Sequence, residues 1–220
     1  MQDTWARVDD YIGQTFIPKD PGLEAALRAA GAMGLPPHHV APNQGKLLAL
    51  LVKAIKARQV LEIGTLAGYS ALWMARSLPP GGRLVSLEAN AEHAAVARRA
   101  IQGADLAGAV EVRVGPALEL LPALAAQAEV FDFVFVDADK KNNAAYIEWA
   151  LELTHPGSLI VVDNIVRDGA VLRADDGDES VRGVREGNRV MAGSPRLMTT
   201  ALQTVGAKGY DGFAIALVTG

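Results

Sequence analysis

VFVDADKKNN, Val134 to Asn143, starts as an apolar run and within a few residues becomes two aspartates, two lysines and two asparagines. A strand that is apolar on both faces belongs inside a parallel sheet covered by helices on each side. Charge gathered where such a strand stops marks the sheet edge at which α/β proteins bind their ligands. The stretch therefore predicts both a fold class and the place to look for chemistry.

Working outward, the same β-branched and aromatic character recurs in VLEI near Val60, RLVSL near Leu84, VEVRV near Val112, SLIVV from Ser158, ALQTV near Leu202 and FAIALV from Phe213. Helical patterns separate most of these runs, which is the signature of βαβ units. NQGKLLALLVKAIKA places Leu47, Leu51 and Ile55 on one face behind a cap at Asn43. KNNAAYIEWALELT stacks Ile147 and Leu151 and is expected to stop at Pro156 and Gly157. The last two strands are separated by GAKGYDG and should form an antiparallel hairpin. The first forty residues read as helical with a break at GLPPHHV, where Pro36 and Pro37 cannot continue a helix, and as an appendage packed on the sheet. RDGAVLRADDGDESVRGVREGNR reads as a mobile loop leading into a surface helix, so that residues 165–195 would lie near a ligand site. The expectation is one α/β domain over residues 1–220: a mostly parallel seven-stranded sheet, helices on both faces, and a C-terminal antiparallel hairpin.

Composition narrows the function classes. The 220 residues are 50% hydrophobic, ample for one large core, and carry a net charge of -4, which gives a polyanion no invitation. Nucleic acid is disfavoured as a partner. The absence of cysteine excludes disulfides, thiolate metal sites and a cysteine nucleophile, and fits a reducing cytosol. MQDTWARVDDYIGQ lacks the basic start and apolar stretch of a signal peptide, and no run is apolar for long enough to span a bilayer. A soluble cytoplasmic protein is expected.

At the ends of the strands the residue types become specific. VLEIGTLAGYSALWMA runs from a strand through a Gly-rich turn into a helix: Gly64 and Gly68 let backbone approach a ligand, and Thr65 and Ser70 add hydroxyls. Glu88 ends the second strand where a nucleotide-binding fold places its ribose carboxylate, although G-x-G-x-x-G, the P-loop and G-x-S-x-G are all absent. Asp137 and Asp163 finish two strands in the same sense and Asn164 follows. Either acid alone reads equally well as a helix cap. The matched pair with an amide favours a hard divalent cation, Mg²⁺ or Ca²⁺, because converging carboxylates repel without one. Lys140, beside them, is a candidate general base, with a solvated helix-start lysine as the bland alternative. Lys141, Asn142 and Asn143 read as ordinary solvated residues opening a helix.

Other conspicuous residues take the bland reading. His38 and His39 have no partner at metal-ligand spacing and read as loop residues. His93 is assigned to a helix face and His155 to a helix end, while Trp73, Met74 and Trp149 lie on helical patterns as core or interface residues. Asp175, Asp176, Asp178 and Glu179 lack an EF-hand pattern and read as a solvated loop, one that follows the strand of Asp163 and could cover a bound ligand. Met33 and Pro36 to Val40 could close the other side.

LEIGTLAGYSALWMA, LVSLEAN, GPALELLP, FDFVFVDADK and LIVVDN, in this order, resemble the cation-dependent O-methyltransferases, the group that includes caffeoyl-CoA and catechol O-methyltransferases. The resemblance runs from about Val40 to the last strand. It implies a Rossmann-like class I methyltransferase fold, S-adenosylmethionine as cofactor, a small phenolic acceptor with vicinal hydroxyls, and a homodimer. By similarity Val40, Glu62, Gly64, Thr65, Ser70, Glu88, Ala117, Asp137, Asp139 and Tyr146 fall where the family holds that cofactor. Asp137, Asp163 and Asn164 match its metal ligands, and Lys140 matches its proposed base. Asn143 departs from the pattern, standing where plant-type members carry Tyr. Two other readings compete: a methyltransferase acting on nucleic acid, disfavoured by the acidic charge, and a non-catalytic cofactor-binding module, disfavoured by retention of Lys140 with all three metal ligands.

Overall fold

The computed structural model describes residues 1–173 and 177–220. Three helices come first: α1 (Gln2–Phe16), α2 (Pro21–Ala32) and α3 (Pro42–Ala54). An alternating series follows: β1 (Gln59–Ile63), α4 (Tyr69–Ala75), β2 (Arg83–Glu88), α5 (Ala91–Gly103), β3 (Val110–Val114), α6 (Ala117–Ala126), β4 (Phe131–Val136), α7 (Asn143–Glu152) and β5 (Thr154–Asp163). α8 (Glu179–Gly193) and the hairpin β6 (Leu197–Gly206) and β7 (Gly209–Val218) complete the chain.

The seven strands form one sheet in the order β3-β2-β1-β4-β5-β7-β6. The first five pair in parallel, and β7 pairs antiparallel with both β5 and β6. Strand period explains the layering. In β4, Phe133 and Phe135 face one side with Val60, Leu84, Leu48, Val52, Leu72 and Ile101, the last four from α3, α4 and α5. Val134 and Val136 face the other with Leu61, Val85, Leu121, Ile147 and Val184, the last three from α6, α7 and α8. Helices on both faces are what continuous apolar strands require. Among the described residues no helix is long and apolar enough to cross a membrane.

Local chemistry sets most boundaries. Asp20 caps α2 by accepting from Gly22 N and Leu23 N, and Asn90 caps α5 through Glu92 N and His93 N. Asn43 is not a cap: α3 starts one residue earlier, with Pro42 in its first turn, since proline there forfeits no helical hydrogen bond. The fully buried stripe of α3 is accordingly Gly45, Leu48, Ala49 and Val52, flanked by Leu47, Leu51 and Ile55 at partial burial. α7 ends at Glu152, well before Pro156, because β5 already begins at Thr154. His155 is thus a strand residue, its Nε2 3.0 Å from Asp132 Oδ1. The pairing of β4 with β5 is irregular between Phe131 and Phe133, which accommodates Pro156 and Gly157 within the strand. The hairpin turn is shorter than its sequence implied, because Gly206 pairs with Gly209 and only Ala207 and Lys208 lie between.

The amino-terminal helices rest mainly on other helices. α2 buries Leu23, Ala26 and Ala30 and packs against α4 and α5. α1 buries no residue and touches α3 and the edge strand β6. Its polar ties are few: Gln2 Nε2 donates to Gly206 O at 3.2 Å, and Asp9 accepts from Ala207 N at 2.8 Å and Asn43 Nδ2 at 3.3 Å.

Candidate active site

The sheet reverses direction of growth between β1 and β4, and ligands of such sheets bind in the crevice at the strand ends there. A cleft of about 1190 Å³ opens at that place. Its floor depends on Gly64, at φ +100: a side-chain carbon on this residue would stand 2.4 Å from Asp137 O. Only glycine allows the ends of β1 and β4 to approach so closely.

Asp137 and Asp163 occupy corresponding places, since Val136 pairs with Val162 and each acid is the next residue. Both line the cleft, as do Asn164 and Lys140. Asp163 is buried, and its carboxyl is pushed up to about 7, first by burial and then by the charge of Asp137. Lys140, the Gln44 side chain and Asn164 N act against that rise. Lys140 Nζ donates to Asp137 Oδ1 at 2.6 Å, so the lysine supplies the positive charge the pair lacks. Among the described residues no three His, Cys, Asp or Glu converge as a metal cluster, so a cation here would rest on two carboxylates and the Asn164 amide. That oxygen-only set, with one acid destabilised by its neighbour, fits Mg²⁺ or Ca²⁺ and argues against zinc.

On the other side of Gly64, Glu88 organises the glycine-rich turn. Its Oε2 accepts from Thr65 N at 3.2 Å and Leu66 N at 2.8 Å, and its Oε1 accepts from Asn90 N at 2.9 Å. A carboxylate has about four acceptor positions, which leaves room on Oε1 for a ligand hydroxyl. Val40, Thr65, Ser70, Ala117, Asp139 and Tyr146 line the same cleft. Tyr146 donates to Asp139 Oδ1 at 2.5 Å, and burial with that neighbouring charge raises the phenol's pKa. Glu62 differs from the rest. It is fully buried beneath the cleft, accepts from Ser70 Oγ at 2.5 Å and from Ser86 Oγ, and burial raises its carboxyl to about 8. Ser86 Oγ lies 2.5 Å from Thr65 Oγ1, so a chain of hydroxyls joins Glu62 to both ends of the turn.

Several residues at the site escaped the sequence reading. His39 is a loop residue but not a bystander: it lines the cleft, meets the Tyr69 ring edge-on at 5.4 Å, and burial with the nearby Lys208 charge lowers its pKa to about 4. Lys208 Nζ donates to Pro37 O at 2.9 Å and also to His39 O. Although Lys208 is an exposed residue, loss of water around its ammonium lowers its pKa, with Asp137 and Asp163 opposing. Gln44, Arg167, Tyr210 and Asp211 complete this wall. Asn143 is not a solvated helix-start residue. It is buried, and its Oδ1 has no hydrogen-bond partner among the described residues. Asn142 likewise holds Asp139 Oδ2 at 2.6 Å. Gly183 of α8 presses on the turn of the candidate base, where a side-chain carbon would meet Lys140 O at 2.3 Å. Met33 is exposed and does not line the cleft. Of the acidic run, Asp178 caps α8 through Ser180 N, while Asp175 and Asp176 lie outside the described residues.

Comparison with known proteins agrees with this geometry. Residues 19–216 match the family model described as O-methyltransferase. The catechol O-methyltransferase of Mycobacterium tuberculosis is 51% identical over 211 residues, 96% of this chain and 94% of that one. The solved O-methyltransferase of Bacillus cereus, in complex with SAH, superposes with a TM-score of 0.98 at 51% identity over 100% of both chains. TomG of Streptomyces achromogenes, an O-methyltransferase of tomaymycin synthesis solved with SAM, gives 0.96 at 45% identity, covering 100% of this chain and 99% of that one.

Proposed function

The chain belongs to the O-methyltransferase family, and from that membership we propose that it moves the methyl group of S-adenosylmethionine onto a hydroxyl of a small catechol-type acceptor, aided by a divalent cation. The observation that carries the reading is the pairing of Asp137 and Asp163 at matched strand ends, with Lys140 Nζ 2.6 Å from Asp137, in the cleft that also contains the Gly64 turn and Glu88.

Asp137, Asp163 and Asn164 would hold the cation, which when bound acts as a Lewis acid toward vicinal hydroxyls and lowers the pKa of one of them. Lys140 accepts the hydroxyl proton. Its Nζ is engaged by Asp137 Oδ1 at 2.6 Å, so it reaches the acceptor hydroxyl only when that contact is released. The acceptor oxyanion then forms its bond to the methyl carbon as the carbon–sulfur bond breaks, releasing S-adenosylhomocysteine. The protein's share of this step is alignment of two bound reactants. Glu88 is assigned the ribose hydroxyls, and the turn formed by Gly64, Thr65 and Ser70, braced by Glu88 and Glu62, the polar end of the cofactor. Val40, Ala117, Asp139 and Tyr146 supply its walls, and Glu62 supports the turn from beneath.

We assign a homodimer as well. The outer edge of β6 pairs with no strand among the described residues, and Met198, Leu202 and Val205 on it are exposed beside α1, where Val8 and Tyr11 are exposed too. An open apolar edge is a surface that proteins cover. Light scattering that returns the mass of one chain at tens of micromolar would remove this assignment.

The activity is tested by methyl transfer to catechol with Mg²⁺ and with chelator, alongside thermal shift. S-adenosylmethionine at about a hundred times its dissociation constant should add about 2.7 kcal/mol of stability. Absence of any shift defeats the cofactor assignment, and transfer undiminished by chelator defeats the metal assignment.

A further inference from the structure

The cleft continues past the acidic pair. Its wall of Arg167, Lys208, Tyr210 and Asp211 is shared with a second groove of about 600 Å³, which Trp5 also lines. Arg167 stands at this junction, three residues beyond Asn164, on a turn where it and Asp168 both take left-handed backbone, φ +55 and +53. Asp211 Oδ1 fixes the turn by accepting Val166 N and Arg167 N, each at 3.0 Å, together with Gly212 N at 2.9 Å. Two consecutive non-glycine residues in that conformation persist only where the surroundings impose it, a pattern common at ligand sites.

Among the described residues nothing satisfies the side chain so placed. Arg167 Nε is buried and has no hydrogen-bond partner among the described residues. Leaving a buried guanidinium N–H unpaired is costly, so a partner from outside the chain is the economical solution. On the same wall Lys208 gives two of its three N–H groups to neutral carbonyl oxygens and keeps one, with Asp137 and Asp163 as the carboxylates whose charge reaches it. Asp211 lies on the same wall, and its Oδ1 already accepts three backbone N–H groups. Asp168 is exposed.

We propose that Arg167, with Lys208 on the same wall, receives an anionic substituent of the acceptor, so that the preferred substrates are catechol-type phenols carrying an acid group. Arg167 is then a specificity-determining residue, and its planar fork suits a carboxylate or a phosphate. This inference rests on the acceptor class proposed above. The anion can be a carboxylate on the phenol's own side chain or a phosphate on a carrier to which the phenol is esterified.

Binding separates these cases without depending on turnover. Titration calorimetry on the full chain, with S-adenosylhomocysteine and Mg²⁺ present, compares caffeate, methyl caffeate and caffeoyl-CoA. Either anionic ligand should bind at least tenfold more tightly than the neutral ester. Caffeate alone gaining identifies the carboxylate, and caffeoyl-CoA alone gaining identifies the phosphate. Arg167→Gln should erase the advantage while changing methyl caffeate affinity less than twofold, and Arg167→Lys should keep part of it. Equal affinities in the unsubstituted protein overturn the proposal, as does equal weakening of all three ligands in Arg167→Gln. Charge-selective binding without methyl transfer would instead sink the proposed activity and leave the anion site standing.

Discussion

The ammonium of Lys140 reaches back three residues to donate to Asp137 Oδ1 at 2.6 Å, tying the candidate base to one of the two carboxylates that end adjacent strands. The contact makes the base and the cation site interdependent. Each waits on the other's charge.

Lys140→Ala should therefore lower kcat by about a hundredfold or more, the usual worth of a general base. Cofactor affinity should change far less, because Lys140 is not assigned to the cofactor. Turnover kinetics beside S-adenosylmethionine titrations check this, and an unchanged kcat across pH removes Lys140 from the mechanism.

For Asp163 the sign of the pH effect is fixed by its shift. Its carboxyl titrates near 4 in the unfolded chain and is raised to about 7 in the folded one. The favourable contribution is complete below the unfolded value and is lost as pH rises through about 7. Without metal, melting temperature should fall between about pH 4 and 8, and Mg²⁺ should restore it at the upper end. Asp163→Asn should flatten that fall and abolish the Mg²⁺ response. A Mg²⁺ shift that survives the substitution refutes the ligand assignment.

Glu62 works in the same direction at a higher pH. Its carboxyl, raised to about 8, leaves the folded protein holding a proton that the unfolded chain releases near 4. Stability attributable to it is lost as pH approaches and passes 8. Glu62→Gln keeps the shape, so its melting temperature should match the parent near pH 5 and exceed it near pH 9. Parallel curves for the two proteins would show that Glu62 does not titrate in this range.

Gly183→Ala probes the support behind the base. The added carbon would lie 2.3 Å from Lys140 O and 2.5 Å from Lys141 Cα, so the turn or α8 must move. Overpacking of this kind costs about 1–3 kcal/mol. We expect a folded variant with kcat reduced tenfold or more and cofactor affinity nearly unchanged, read by circular dichroism, thermal melts and kinetics.

The fold was legible because its determinants are local. Apolar strands alternate with helical patterns, and Asp137, Asp163 and Glu88 stand at strand ends where sequence alone places them at one sheet edge. What was illegible is set by distant partners. Lys208 looks like a solvated turn residue until its amine is seen on Pro37 O, 171 positions away in the chain. Arg167 sits in a charged loop, and only the fold reveals that its Nε is buried. Asn43 looked like a cap because its residue type is right, yet Pro42 starts the helix before it. Asn143 looked solvated because its neighbours Lys141 and Asn142 are polar, whereas α8 covers it. Glu62 was grouped with residues that face the ligand, and its depth shows only once Ser70 and Ser86 are placed around it.

The sheet order β3-β2-β1-β4-β5-β7-β6 also carries a temporal consequence. As the chain emerges from a ribosome, Gly64, Glu88 and Asp137 can assemble as soon as β4 is paired with β1. Lys208 and Asp211 follow only after β5, α8 and the hairpin exist. Most residues assigned to the cofactor thus precede those of the acceptor wall in the chain, so synthesis supplies the groups meant for the methyl donor before those meant to choose what is methylated.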